Sequence, residues 1–155
     1  MPTERVCTQI YLFRENKVCL PLKKRGFGAG WHNGYGGKVE VNESLLDSAK
    51  RELLEEARVT AVDLTKQAEL VFNFLRTGEK ILSHVFVCNE FLGEPQETEE
   101  MKPFWFSFAE IPYKNMWPDD IYWMKKLISG EKFKAEFNFS DAKPTIKDFI
   151  IKNID

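Results

Sequence analysis

Between residues 37 and 59, six residues able to do chemistry or shape a backbone stand at fixed offsets: Gly37, Glu43, Arg51, Glu52, Glu55 and Glu56. Ser44 followed three residues later by Asp47 reads as a capped helix start. Leu46, Ala49, Leu53 and Ala57 recur at helical spacing, so the pattern predicts a helix from Ser44 to about Ala57 with one apolar stripe. At about 100° of rotation per residue, Glu52, Glu55 and Glu56 fall within an arc of roughly 100° beside that stripe, with Glu56 at a solvent-facing position. Like charges so placed repel each other by roughly a few tenths of a kcal/mol per pair, and a bound cation reverses the sign. Hard oxygen ligands without sulfur or imidazole select Mg²⁺ or Mn²⁺, ions that share their shell with water and substrate phosphates. Phosphate chemistry is therefore the first reading, set against a solvated acidic helix face. Arg51 can hold a carboxylate in its fork, with Glu55 one turn on or Glu43 across the preceding loop as partner.

The elements that must position these groups follow from periodicity. Val6 to Phe13 and Lys17 to Leu22 read as strands joined by a polar turn at Arg14, Glu15 and Asn16. From Lys23 to Gly37 a long glycine-rich loop carries aromatics and amides, and loops of that length usually carry function. Val71 to Leu75 and Ile81 to Cys88 flank a turn at Arg76 to Glu79, an acidic loop spans Glu94 to Glu100, and Phe104 to Phe108 is a further strand. Pro118, Asp119 and Asp120 precede a second amphipathic helix closed by Gly130, where either aspartate could serve only as N-cap. Phe133, Ala135, Phe137 and Phe139 alternate with polar residues as a half-buried strand does. The sum is an α/β protein, a mixed sheet with helices packed on it in an α/β/α arrangement, and 155 residues leave room for one domain, 1–155.

Composition narrows the partners. With 22 Lys and Arg against 24 Asp and Glu, the formal charge of −2 gives no bulk positive field, so polymeric nucleic acid is disfavoured. Thirteen Phe and four Trp supply more flat rings than a core usually needs. No run approaches the roughly 18 uninterrupted apolar residues of a membrane span and no leader pattern opens the chain, so the expectation is a soluble cytoplasmic protein, a monomer without membrane contact. Cys7, Cys19 and Cys88 fit reduced thiols, and with only two histidines, His32 and His84, zinc has too few ligands.

The offsets from Gly37 to Val59 match the pattern G-x5-E-x7-R-E-U-x-E-E-x-G-U, where U is a bulky aliphatic residue, save that Arg58 stands at the final glycine. The chain thus resembles the Nudix family. Lys23 to Gly30, Asn33-Gly34, Gly36 to Val39, Glu100-Met101 and Met116 to Asp120 extend the resemblance to the MutT-type hydrolases of oxidised purine nucleoside triphosphates found in vertebrates. That resemblance implies a Nudix-type α/β/α sandwich with a mixed sheet. It implies Mg²⁺-dependent hydrolysis of 8-oxo-dGTP, 2-oxo-dATP and related nucleotides to monophosphate and pyrophosphate, a sanitation of the nucleotide pool. Glu52, Glu55, Glu56, Glu100 and the Gly36 carbonyl are then the metal ligands, and Arg51 orients a carboxylate. Glu56 is the assigned base, with Glu52 and Glu100 as alternatives. Asn33, Asp119 and Asp120 read the base, Phe27, Phe72, Phe74 and Trp117 wall the purine pocket, and Thr8 and Lys23 lie near sugar and phosphates. Taken one by one, Trp117, Phe72 and Phe74 could simply be core, and Glu100 part of a solvated loop. Trp31-His32 and Ile81 depart from the pattern of those hydrolases around the pocket. Other nucleoside diphosphate-linked substrates, or a nucleotide-binding module without catalysis, are the alternatives. The Trp117-Pro118-Asp119-Asp120 run argues against the first and the intact glutamates against the second.

Overall fold

The computed structural model describes residues 4–140 and 145–154. Its strands are β1 (Glu4–Arg14), β2 (Lys17–Cys19), β3 (Leu22–Lys23), β4 (Thr60–Ala61), β5 (Thr65–Phe74), β6 (Glu79–Cys88), β7 (Phe91–Leu92), β8 (Met101–Lys102), β9 (Trp105–Ser107), β10 (Phe133–Phe139) and β11 (Ile146–Asn153). Two α-helices, α1 (Leu45–Ala57) and α2 (Asp120–Ile128), complete the frame. Seven strands form one sheet in the order β11-β10-β5-β6-β1-β2-β9, with β1–β6 and β10–β5 parallel and the remaining neighbours antiparallel. The expected mixed sheet is therefore observed.

Alternation along β1 splits the core between the two faces of this sheet. Ile10 and Leu12 join Ala49, Leu53 and Ala57 of α1, whereas Tyr11 joins Trp123, Met124 and Leu127 of α2. Each helix covers one face, which is the layered arrangement expected from the sequence.

Several boundaries differ from the sequence pattern. The strand expected over Lys17 to Leu22 breaks after Cys19 and resumes at Leu22, across Pro21, which has no N–H to give a ladder. β5 begins at Thr65, six residues before the apolar run, with an irregularity between Lys66 and Ala68 that disturbs its alternation. The last strand of the chain, β11, lies at the sheet edge with mostly exposed residues, so it carries no burial pattern to detect. Leu46, placed on the apolar stripe of α1, is exposed instead, and Leu45 packs against the core in its stead.

The start of α1 is as expected: Ser44 is its N-cap, and its hydroxyl accepts the Asp47 N–H at 3.0 Å. Its end is the site of the one departure from the box pattern. Arg58 occupies the left-handed region at φ 58°, ψ 34°, and its N–H closes onto the Leu54 carbonyl, so it holds the conformation that glycine adopts without strain.

Candidate active site

α1 presents its carboxylates toward the segment from Tyr35 to Val39, which extends the sheet along β1 through Thr8 N–H to the Gly37 carbonyl and Val39 N–H to the Val6 carbonyl. The approach is close enough to exclude side chains. A Cβ on Gly36 would lie 1.9 Å from the Thr8 carbonyl oxygen, and one on Gly37 would lie 2.7 Å from Glu52 Oε1. Gly36 N–H donates to Glu56 Oε1 at 2.8 Å.

Glu56 is buried, not solvent-facing as its helix position suggested, because the Tyr35 to Gly37 segment covers that flank of α1. Burial pushes its carboxyl up to about 8, against the Gly36 hydrogen bond, with the Glu52 and Glu100 charges adding to the rise. Burial also raises Glu52. Arg51 settles the partner question in favour of Glu43, gripped through Nε at 2.7 Å and Nη2 at 3.0 Å, and this fork holds Glu43 down at about 2. Its Nη1 also reaches Glu52 at 3.0 Å and Glu55 at 3.3 Å. Glu100 is turned to Arg25, whose Nε lies 2.7 Å from Oε1.

Among the described residues no three Asp, Glu, His or Cys side chains converge on one point. The donor set nonetheless fits a divalent cation of the Mg²⁺ class. It is all oxygen, and such an ion needs only one or two carboxylates, the rest of its shell coming from water and phosphate. Glu52 and Glu56 are desolvated carboxylates of like sign on one helix, an arrangement that a cation relieves.

On the α2 face of the sheet a cleft of about 820 Å³, counting its open mouth, runs from Gly36, Gly37 and Lys23 at one end to Asn33, Trp117, Asp119 and Asp120 at the other. Thr8, Phe27, Phe72 and Phe74 also line it. The structure thus brings all nine of the residues expected around a nucleotide into one cavity. Phe72 and Phe74 stack on Phe139 and so serve core and cleft together. Phe27, largely exposed, packs on Trp117 at 4.9 Å between ring centroids. Trp31 meets Trp117 edge-on at 4.9 Å. His32 is a core residue, its Nδ1 2.7 Å from the Leu20 carbonyl oxygen and its ring edge-on to the stacked pair Phe104 and Phe106.

The far end of the cleft is unusual electrostatically. Asp119 and Asp120 are adjacent and almost fully buried. The capping reading fails, since Asp119 makes no side-chain bond to the start of α2. Its Oδ2 accepts the Trp123 indole N–H at 2.7 Å, and the two aspartate carboxyls share a hydrogen bond. Burial raises both carboxyls, Asp120 well above the ordinary range, with the charge of Asp119 adding to it. Tyr11, Gln9 and Ser83, none of them singled out in the sequence, also form the wall, with Cys7 and Met101, which were not expected there. The signal available was Gln9, a polar residue on the Tyr11 side of an apolar strand.

The segment from residue 3 to residue 127 matches the NUDIX domain. The chain belongs to the Nudix family. It is 41% identical over 155 residues to the oxidized purine nucleoside triphosphate hydrolase of Mus musculus, covering all of this chain and 99% of that protein. It is 40% identical over 139 residues to the enzyme of the same description from Danio rerio, covering 90% of this chain and 89% of that one. The Nudix fold is also evident in three dimensions. A MutT protein from Bacillus halodurans superposes with a TM-score of 0.84 at 22% identity, over 95% of this chain and 97% of the other. Nudix hydrolases generally require a divalent metal, in keeping with the all-oxygen donor set on α1.

Proposed function

We propose that this Nudix hydrolase converts oxidised purine nucleoside triphosphates, 8-oxo-dGTP and 2-oxo-dATP among them, to the monophosphate and pyrophosphate, with Mg²⁺ as cofactor and Mn²⁺ as a substitute. The observation that carries the reading is the buried Asp119–Asp120 pair at the closed end of a cleft whose other end opens beside the carboxylates of α1. The relatives from mouse and zebrafish, similar over nearly their whole length, carry that substrate class in their description.

In this reading the purine enters between Trp117 and the phenylalanines, with its edge on the aspartates and Asn33. Two adjacent buried carboxyls do not both ionise readily, so one donates a hydrogen bond while its neighbour accepts. Oxidation at C8 turns N7 of a purine from acceptor into N–H donor, and the ionised member of the aspartate pair offers an acceptor for a donor of that kind. A 2-oxo adenine presents a different edge, which the same pair meets with the roles exchanged.

At the other end Glu52, Glu55, Glu56, Glu100 and the Gly36 carbonyl would hold the cation. The chemistry it supplies when bound is neutralisation of charge on the phosphate oxygens. Lys23 lines the cleft at this end, adds a positive charge beside the phosphates and pulls the Glu56 carboxyl down. Glu56 Oε1 is tied to Gly36 N–H; a cation held beside it would keep the raised carboxyl ionised, which leaves Oε2 to take the proton of the attacking water. The water oxygen bonds to a phosphorus of the α–β anhydride, and the broken P–O bond leaves its electron pair on the departing phosphate oxygen. Arg51, fixed by Glu43, holds Glu52 and Glu55 in place.

We also read the protein as a cytoplasmic monomer that clears damaged nucleotides; among the described residues no helix is long and apolar enough to cross a membrane. The test is incubation with 8-oxo-dGTP, 2-oxo-dATP, dGTP and ADP-ribose in MgCl₂, with the products separated by ion exchange. Pyrophosphate and monophosphate from the oxidised purines ahead of the others is the expected outcome. Orthophosphate as product, turnover of ADP-ribose alone, or binding without turnover contradicts it.

A further inference from the structure

The register of the sheet sets Gln9 between the two groups of residues assigned to the purine. Positions 7, 9 and 11 of β1 share the cleft face. On one side of Gln9, Ser83 of β6 lies opposite Cys7, and the next position on that face of β6 is Ile81, which pairs with Phe72 of the aromatic wall. On the other side stands Tyr11, whose ring abuts Gly34, beside Asn33, so closely that a Cβ there would lie 2.7 Å from Tyr11 Cζ. The same ring meets Trp123 edge-on at 5.8 Å, and the N–H of that indole is held by Asp119. The Tyr11 phenol also feels the charges of Asp120 and Asp119 beyond the effect of its own burial. Gln9 is therefore at the level of the base.

Its amide is polar, half-buried and fixed on both sides. Ser83 Oγ donates to Gln9 Oε1 at 2.6 Å, and Gln9 Nε2 donates to Tyr11 Oη at 2.9 Å. A primary amide has two N–H groups. Among the described residues only one of them is bonded, and exchanging the amide N and O leaves the same count. One N–H donor is thus left on the cleft wall, beside carboxyls that accept. Oxidation at C8 gives a purine two new groups side by side, the N–H at N7 and a carbonyl oxygen at C8. The aspartate pair offers an acceptor for the first, and the second needs a donor. An unoxidised purine has only C–H at that place, as adenine has at C2, where 2-oxo adenine carries its added carbonyl.

Resting on the substrate class proposed above, we infer that Gln9, fixed by Ser83 and Tyr11, is a specificity-determining residue whose spare amide N–H donates to the carbonyl oxygen that oxidation adds to the purine. The aspartates and the amide then read the two halves of one lactam, the aspartates its N–H and Gln9 its C=O. With an unoxidised base the amide N–H faces C–H and stays unpaired in a partly dry wall, and that is the source of the discrimination.

The test compares wild type with Gln9→Leu and with Ser83→Ala, which leaves the amide in place but untied. For each, kcat/KM is measured with 8-oxo-dGTP and dGTP, and Kd with the monophosphates 8-oxo-dGMP and dGMP. The expected result is an oxidised-to-unoxidised ratio that falls about 10-fold in Gln9→Leu and by less in Ser83→Ala, in turnover and in binding alike. Equal losses for both bases in folded Gln9→Leu give the residue a structural role only and overturn the inference, as does an unchanged ratio. Thermal melting shows which variants are folded, and where Gln9→Leu is not, an unchanged ratio in Ser83→Ala overturns it instead. Should wild type hydrolyse neither triphosphate, the proposed reaction fails, while the monophosphate ratios still decide the role of Gln9.

Discussion

The protein holds two groups of carboxylates, and it treats them in opposite ways. Those on and around α1 are met by cations, with the buried Glu56 on the Gly36 N–H as the exception: Arg51 reaches Glu43, Glu52 and Glu55, and Arg25 takes Glu100. Asp119 and Asp120 have no basic partner and keep only the Trp123 N–H and each other, in full burial. A carboxylate set that is charged, part-wet and oriented by arginine suits a metal ion and phosphates. A dry pair with a raised proton affinity suits a neutral base read by donors and acceptors. The comparison teaches that similar side chains are assigned to charge at one end of the cleft and to protons at the other.

Removing the charge at the first end is expected to have the largest effect. Glu56→Gln keeps size and the Gly36 contact but removes the charge and the proton acceptor, so kcat falls by about 100-fold or more while nucleotide binding and melting temperature stay close to wild type. Retention of more than about a tenth of kcat, a barrier change under ~1.4 kcal/mol, assigns the base elsewhere.

At the second end the expected effect is on stability, and it depends on pH. The Asp120 carboxyl titrates well above its ordinary 3.8 in the fold. Between that value and its raised folded value the native state binds more protons than the unfolded chain, so stability falls as pH rises through this window. Asp120→Asn is spared this loss. Its melting temperature relative to wild type should rise from pH 4 to pH 7, and melting curves in which the difference stays flat or reverses contradict the buried-proton reading.

The smallest effect is expected at Arg58, which belongs to neither group. Arg58→Gly relieves a left-handed residue at a cost in unfolded-state entropy, for a net change within about 1–2 kcal/mol and a kcat near wild type. A large loss of kcat at unchanged melting temperature would mean that Arg58 serves the substrate.

The two ends were not equally legible in the sequence. α1 carried its carboxylates at fixed helical offsets beside a stripe, so its face and its Ser44 cap followed from periodicity alone. Even there the burial of Glu56 did not, because it depends on a segment twenty residues upstream that folds over the helix. Asp119 and Asp120 were visible only as acidic residues before a helix, which is how an ordinary N-cap looks. Their burial comes from tertiary packing of the start of α2 against Tyr11 of β1, and only the resemblance to the MutT-type enzymes singled them out. Gln9 and Ser83 are distant in sequence and meet because β1 and β6 pair in parallel, a long-range register that periodicity does not encode.

The division of labour between the two ends is tested most directly by one ratio, kcat/KM for 8-oxo-dGTP over that for dGTP, measured in wild type and in Asp119→Asn. The account predicts a wild-type ratio well above one that collapses by about 10-fold or more in the variant, with the metal requirement for turnover unaltered. A wild-type ratio near one, or equal losses for both nucleotides in Asp119→Asn, contradicts base reading by the buried pair.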